Sequence, residues 1–224
     1  MKFEIDEVTK LVTVFSEDMG VKSDKVITLS DFIESMITAK NKNVFEPIES
    51  PLFREAYGSQ LIQTKQIGKK SCIYILHKKK AKMPLQMFKR FYGDVGYPGL
   101  LFAIKVVNDR LFSMYLVAVK DNIINEDTKL YYYPYTNVSG DMGNVCLGSN
   151  KFSKGISKKN NLFKVPLQFA EMPNSLHSFM ATHNSAGYDC EEMVKKMQNR
   201  EFDDKLLVEK EQITTYKEWF SSLK

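Results

Sequence analysis

Tyr133–Asn150 reads YPYTNVSGDMGNVCLGSN: polar, punctuated by Gly140, Gly143 and Gly148, without helical or strand periodicity, and holding Cys146 in its second half. Such a stretch is a loop by composition, and a loop is an unusual place for a reduced thiol. A free cysteine otherwise behaves as a small core hydrophobe, so its setting here points to reactivity.

Upstream of the loop the chain is rich in strand signals. KLYYYPY, ending at Tyr135, reads as a strand that stops at Pro134. YPGLLFAIKVVNDRLFSMYLVAVKD reads as two long strands folded at Asn108 and Asp109, a two-residue polar turn between apolar runs. SCIYILHKK, from Ser71, completes a four-strand antiparallel meander, with Leu101, Ala103, Lys105 and Val107 on one face of its strand. Before it, SDFIESMITAKN predicts a helix capped by Ser30 or Asp31, and residues 41–60 an irregular crossing. KLVTVFSEDMGVKSDKVITLS predicts a β-hairpin turning at Gly20.

Downstream, PLQFAEMPNSLHSFMATHN carries a weak helical period, DCEEMVKKMQNREF predicts a helix capped by Asp189, and TTYKEWFSSLK closes amphipathically. The expected fold class is therefore α+β: a leading helix, the meander, the loop, then C-terminal helices, with an extra N-terminal hairpin. The chain is read as one elaborated domain over 1–224, with a hairpin extension over 1–29, a core over 30–188 and a helical extension over 189–224.

Composition narrows the class. The 224 residues are 43% hydrophobic and 26% charged, the balance of a globular protein with a full core. The net charge of +5 comes from 32 basic and 27 acidic residues mixed along the chain, so nucleic acid is not the expected partner, and HKKKAKMP (His77–Pro84) reads as a solvated cluster. Cys72, Cys146 and Cys190 are an odd number without a disulfide framework, and MKFEIDEVTK places acids where a signal peptide needs apolar residues. With no run long enough for a bilayer, the reading is cytoplasmic, with no membrane partner. No CxxC or HxxxH pair and no phosphate-binding loop suggests a metal or nucleotide, so no cofactor is expected.

NVSGDMGNVCLG resembles the active-site flap of ubiquitin-conjugating enzymes, where a His-Pro-Asn triplet precedes a glycine turn, an apolar residue, the catalytic cysteine and a leucine. Asn137, Gly143, Val145, Cys146 and Leu147 match in that order. A bacterial branch, the PRTRC system protein B or prokaryotic family-D conjugating-enzyme-like group, is more similar still: KLYYYPYTNVSGDMGNVCLG carries its LY, proline, NV, glycine and VCLG, and HSFMATHN resembles its serine-phenylalanine-histidine element, with His183 at the histidine. The resemblance runs from about Lys10 to Asn184 and implies a UBC-like fold. Tyr135 and Thr136 depart from the triplet, and the asparagine-to-cysteine interval is one residue longer than usual, an excess that Gly140 and Gly143 can absorb.

What the resemblance implies is a thioester carrier. Cys146 would accept the C-terminal carbonyl of a ubiquitin-like protein and pass it to an amine, chemistry that suits a thiolate in an open setting. Asn137 would either donate to the developing oxyanion, worth about 3 kcal/mol in comparable sites, or hold the flap. His183 would deprotonate the incoming amine or thiol, or bond the flap. Tyr135 is read as a donor in place of the missing histidine, and Asp141 as a turn residue or a group orienting a lysine. Cys72 and Cys190 are read as structural, and His77 and His177 carry no role.

The implied partners are a ThiF-type, E1-like adenylating protein, the ubiquitin-like protein itself, and a JAB-type peptidase of the same mobile-element cassette. Two other readings stand beside the enzyme. One is a non-catalytic module that binds a ubiquitin-like protein; the other is a cysteine hydrolase using Cys146 with His183 and Asn184.

Overall fold

The computed structural model describes residues 2–18, 21–41, 55–87, 89–152, 154–156 and 160–224. The chain divides into two compact units, Met1–Ser50 and Pro51–Lys224.

The first unit holds strands β1 (Lys2–Asp6), β2 (Leu11–Asp18) and β3 (Val21–Thr28), then helix α1 (Leu29–Asn41). The expected hairpin is β2 with β3, and β1 adds a third antiparallel strand, in the order β1-β2-β3. Gly20, the expected turn, lies outside the described residues. The cap of α1 falls earlier than Ser30 or Asp31, because the Thr28 hydroxyl accepts the Asp31 N–H at 3.1 Å. Phe3 and Phe32 pack with ring centroids 4.9 Å apart, tying sheet to helix.

The second unit is built on β4 (Ser59–Gly68), β5 (Ser71–Lys78), β6 (Ala81–Met87), β7 (Arg90–Tyr97), β8 (Gly99–Val107), β9 (Arg110–Val119), β10 (Val138–Ser139) and β11 (Asn144–Val145). Helix α2 (Asn161–Ala170), strand β12 (Pro173–Asn174), and helices α3 (Cys190–Met197) and α4 (Tyr216–Ser222) follow. One sheet has the order β10-β11-β9-β8-β5-β4; a second has the order β12-β6-β7, with β12 parallel to β6.

Of the described residues 42% lie in strands and 22% in helices, in three sheets and four helices, so the fold is mostly β-sheet; this corrects the expected UBC-like α+β layout of a leading helix, a four-strand meander and C-terminal helices. Among the longer strands of the second unit, three escaped the sequence reading for physical reasons. β4 is an edge strand whose Gln60, Gln63, Lys65 and Gln66 look like loop, as edge strands often do. β6 carries Pro84, where its register with β7 shifts between Met83 and Leu85, and β7 carries two glycines.

The expected fourth strand, KLYYYPY, is not one. Its backbone divides between β9 and the C-terminal segment: Ala118 and Tyr131 exchange bonds at 3.0 and 2.9 Å, while Leu130 N–H donates to Thr214 and Tyr132 N–H to Val208. Of the apolar run around Phe169, only the front is helical, since α2 starts at Asn161 and contains Pro166. Beyond it come β12 and two 3-10 turns, Leu176–Ser178 and Ala181–His183.

Other local readings hold. The β8–β9 hairpin turns at Asn108 and Asp109, both left-handed with φ of 49° and 60°, as a two-residue turn of matching twist requires. α3 starts with the Asp189–Glu192 capping box and α4 with the Thr215–Glu218 box.

β8 explains why the second unit coheres. Leu100, Phe102, Ile104 and Val106 face one core, with β6, β7, α2 and α3. Leu101 and Ala103 face a second, with Ile73, Ile75, Val117, Tyr216, Trp219 and Leu223. Both faces of the strand are therefore covered, and each fully buried Leu, Ile or Val contributes about 1.5–3 kcal/mol.

Candidate functional site

The backbone that leads to Cys146 is anchored before it reaches the thiol. Tyr133 and Tyr135 are buried; the Tyr135 ring packs 5.1 Å from that of Tyr97, and its hydroxyl donates to the Gly96 carbonyl. Thr136 donates its hydroxyl to Asn174 Oδ1, and Asn174 Nδ2 in turn donates to the Gln86 and Met172 carbonyls, each at 3.1 Å. Asn137 sits at φ 67°, a left-handed position that asparagine tolerates, and its Nδ2 donates to the Pro173 carbonyl at 3.0 Å. The three side chains Tyr135, Thr136 and Asn137 thus stitch the loop to β7 and β12.

From Asn137 the chain makes a small hairpin. Val138 pairs with Val145 and Ser139 with Asn144, and the turn closes with the Gly143 N–H donating to the Gly140 carbonyl at 3.0 Å. Both glycines are left-handed, with φ of 69° and 75°, a conformation that glycine adopts without a Cβ penalty. Gly143 is needed for a second reason: its carbonyl accepts the Leu116 N–H at 2.7 Å, and a Cβ there would lie 2.0 Å from the Leu116 oxygen. Asn144 pairs with Tyr115, so the hairpin is docked along β9.

Cys146 follows directly. Its N–H donates to the Asn137 carbonyl at 2.8 Å while its residue surface is exposed, so a fixed backbone presents an open thiol. Leu147 turns back against the core and its carbonyl accepts both the Asn150 N–H, at 3.1 Å, and Asn150 Nδ2, at 2.9 Å. The cysteine is followed by a turn, not a helix. Cys72 is half-buried and Cys190 buried, 3.3 Å from Met87 Sδ; burial pushes the Cys190 thiol up to about 11. Of the three, Cys146 alone is exposed.

The remaining candidates collect beside Asp141, at the turn of the hairpin. The His183 ring stacks on Tyr132, centroids 4.2 Å apart and nearly parallel. Burial, then the charge of Lys210, holds its imidazole below the usual histidine range. Tyr132 donates its hydroxyl to Asp141 Oδ1 at 3.2 Å, and Lys210 Nζ lies 4.2 Å from the Tyr132 ring centroid. Burial lowers the Lys210 ammonium to about 8, against the attraction of Asp141. His183 and Asp141 therefore meet through Tyr132 and Lys210, while Asn137 turns to Pro173. His77 is buried, and the His177 side chain lies outside the described residues.

Sequence reasoning missed Pro173, Asn174, Tyr132 and Lys210. The signal for Lys210 was absent, since LLVEKEQ reads as surface charge until its pairing with Leu130 is known. Among the described residues no cluster of three His, Cys, Asp or Glu side chains is placed to hold a metal ion, and no helix is long and apolar enough to cross a membrane.

A family model described as prokaryotic E2 family D matches residues 52–210, most of the chain and all of the site. The chain belongs to prokaryotic E2 family D. Neither a curated protein nor a solved structure gives a match. Membership in family D makes the chain a UBC-like protein in general terms, and the match takes in Asn137, Cys146, His183 and Lys210. It stops short of α4.

Proposed function

We propose that this family-D protein carries a ubiquitin-like modifier as a thioester on Cys146 and transfers it to an amine. The observation that carries the reading is the exposed thiol on a hairpin whose backbone is fixed at both ends, by Asn137 behind the cysteine and Leu116 beneath the turn. An open thiol suits a protein tail as donor and a lysine as acceptor, because neither fits a closed pocket. The donor would be charged by a ThiF-type, E1-like adenylating protein; a JAB-type peptidase of a PRTRC-type cassette would process the modifier.

A second reading has its own support. Asn137 Nδ2 is bonded to the Pro173 carbonyl and Tyr135 lies in the core, so neither points a donor at the thiol. That favours a module that binds a ubiquitin-like protein without chemistry.

One experiment separates them. The protein is incubated with the adenylating protein, the modifier and ATP, and run on a non-reducing gel. A thiol-sensitive adduct that disappears in Cys146→Ala supports the carrier. Binding without an adduct, at saturating adenylating protein, supports the module.

A further inference from the structure

The turn of the flap hairpin is held by three consecutive residues, each bonded to a different part of the fold. Asp141 accepts from the Tyr132 hydroxyl, and Gly143 accepts from the Leu116 N–H. Between them, the Met142 carbonyl accepts the indole N–H of Trp219 at 2.9 Å. Trp219 is fully buried among Ile73, Ile75, Leu101 and Val119, so its N–H has a fixed direction.

The helix that carries Trp219 is itself secured at both ends. The Thr215–Glu218 capping box closes its start. At its end Lys65 Nζ donates to the Phe220, Ser221 and Leu223 carbonyls, at 3.3, 3.4 and 2.8 Å, satisfying acceptors that a helix end leaves open. The family match ends at residue 210, so this helix is an addition to the part of the chain that family D describes.

We infer that Trp219 is a positioning residue for Cys146: its bond to Met142 sets the turn of the β10–β11 hairpin, and through Val145 the place and exposure of the thiol. α4 is then the element by which this chain controls the presentation of the Cys146 thiol. The inference does not rest on the thioester reading, since it concerns the hairpin's conformation with or without a modifier.

Trp219 is the sole tryptophan, which makes a clean test possible. Replacing it with benzothienylalanine keeps the bicyclic shape and removes only the N–H; Trp219→Phe serves as a second variant. Two quantities are read on the full chain: amide hydrogen exchange, and the rate at which iodoacetamide alkylates Cys146 in a Cys72→Ala, Cys190→Ala background. Loss of one net hydrogen bond predicts about tenfold faster exchange at the Gly143 and Cys146 amides, with Leu101 and Ala103 of β8 unchanged. The alkylation rate should change in step. Unchanged exchange in the hairpin overturns the inference, and so does an equal acceleration in β8, which would mean that Trp219 only stabilises the core.

Discussion

Cys146 donates its backbone N–H to the carbonyl of Asn137 at 2.8 Å, which makes the nucleophile candidate and the residue that begins its flap a bonded pair. Because the bond engages the main chain of Cys146 and leaves its side chain open, exposure of the thiol follows from the hairpin's register.

Thiol reactivity should therefore be sharply unequal. In the native protein an aromatic disulfide reagent is expected to titrate one cysteine fast and two slowly, because Cys190 is buried with a raised pKa and burial also raises that of Cys72. In Cys146→Ala the fast phase should vanish while the slow phases persist. A fast phase surviving in that variant would assign the reactive thiol elsewhere.

Gly143→Ala should damage the flap far more than Gly148→Ala. At Gly143 an added Cβ meets the Leu116 oxygen at 2.0 Å and the backbone is left-handed. Together these predict a loss on the order of 3 kcal/mol, visible in urea unfolding. At Gly148 the nearest atom is 3.6 Å away and only the left-handed φ is strained, so a loss of about 1 kcal/mol is expected.

Asn137→Gly keeps the left-handed backbone and removes the amide, leaving the Pro173 carbonyl without that donor. The expected cost is about 1–3 kcal/mol of stability. If transfer from Cys146 is then measured, its rate should fall only as far as flap order falls, as judged by exchange of the Cys146 amide. A drop of about a hundredfold with the amide still protected would instead give the side chain an oxyanion role.

Lys210 predicts a dependence on alkaline pH. Its ammonium titrates near 8 when folded and near 10.4 when free. Between these values the unfolded chain binds more protons, so stability should rise with pH across that window. Below pH 8 the penalty of burying the charge is fully present. Wild type should therefore gain on Lys210→Met as pH goes from 8 to 10 in urea unfolding; a constant difference between the two would mean that the amine is not desolvated.

The legible parts of this fold are those written locally. Asn108 and Asp109 mark their hairpin, and Asp189 sits where a helix start is expected. Cys146 stood out because apolar and glycine neighbours frame it within a polar run. What could not be read is decided by distant partners. β4 is a strand only because β5 borders it, and KLYYYPY fails to be one because the C-terminal segment takes its backbone bonds. Within the site, the residue type at 137 was legible and the direction of its amide was not, since Pro173 lies far along the chain. The layout was misjudged for the same reason: polar edge strands and a proline-bearing strand hide β structure from pattern reading, which tilted the expectation toward helix.

Tyr135, Thr136 and Asn137 each direct their polar atoms into the protein, toward Gly96, Asn174 and Pro173. An acyl group on Cys146 would thus hang from a firmly held backbone with none of these three side chains turned toward it. The flap therefore spends its polar side chains on its own anchorage, and leaves the surface around the sulfur to whatever approaches it from outside.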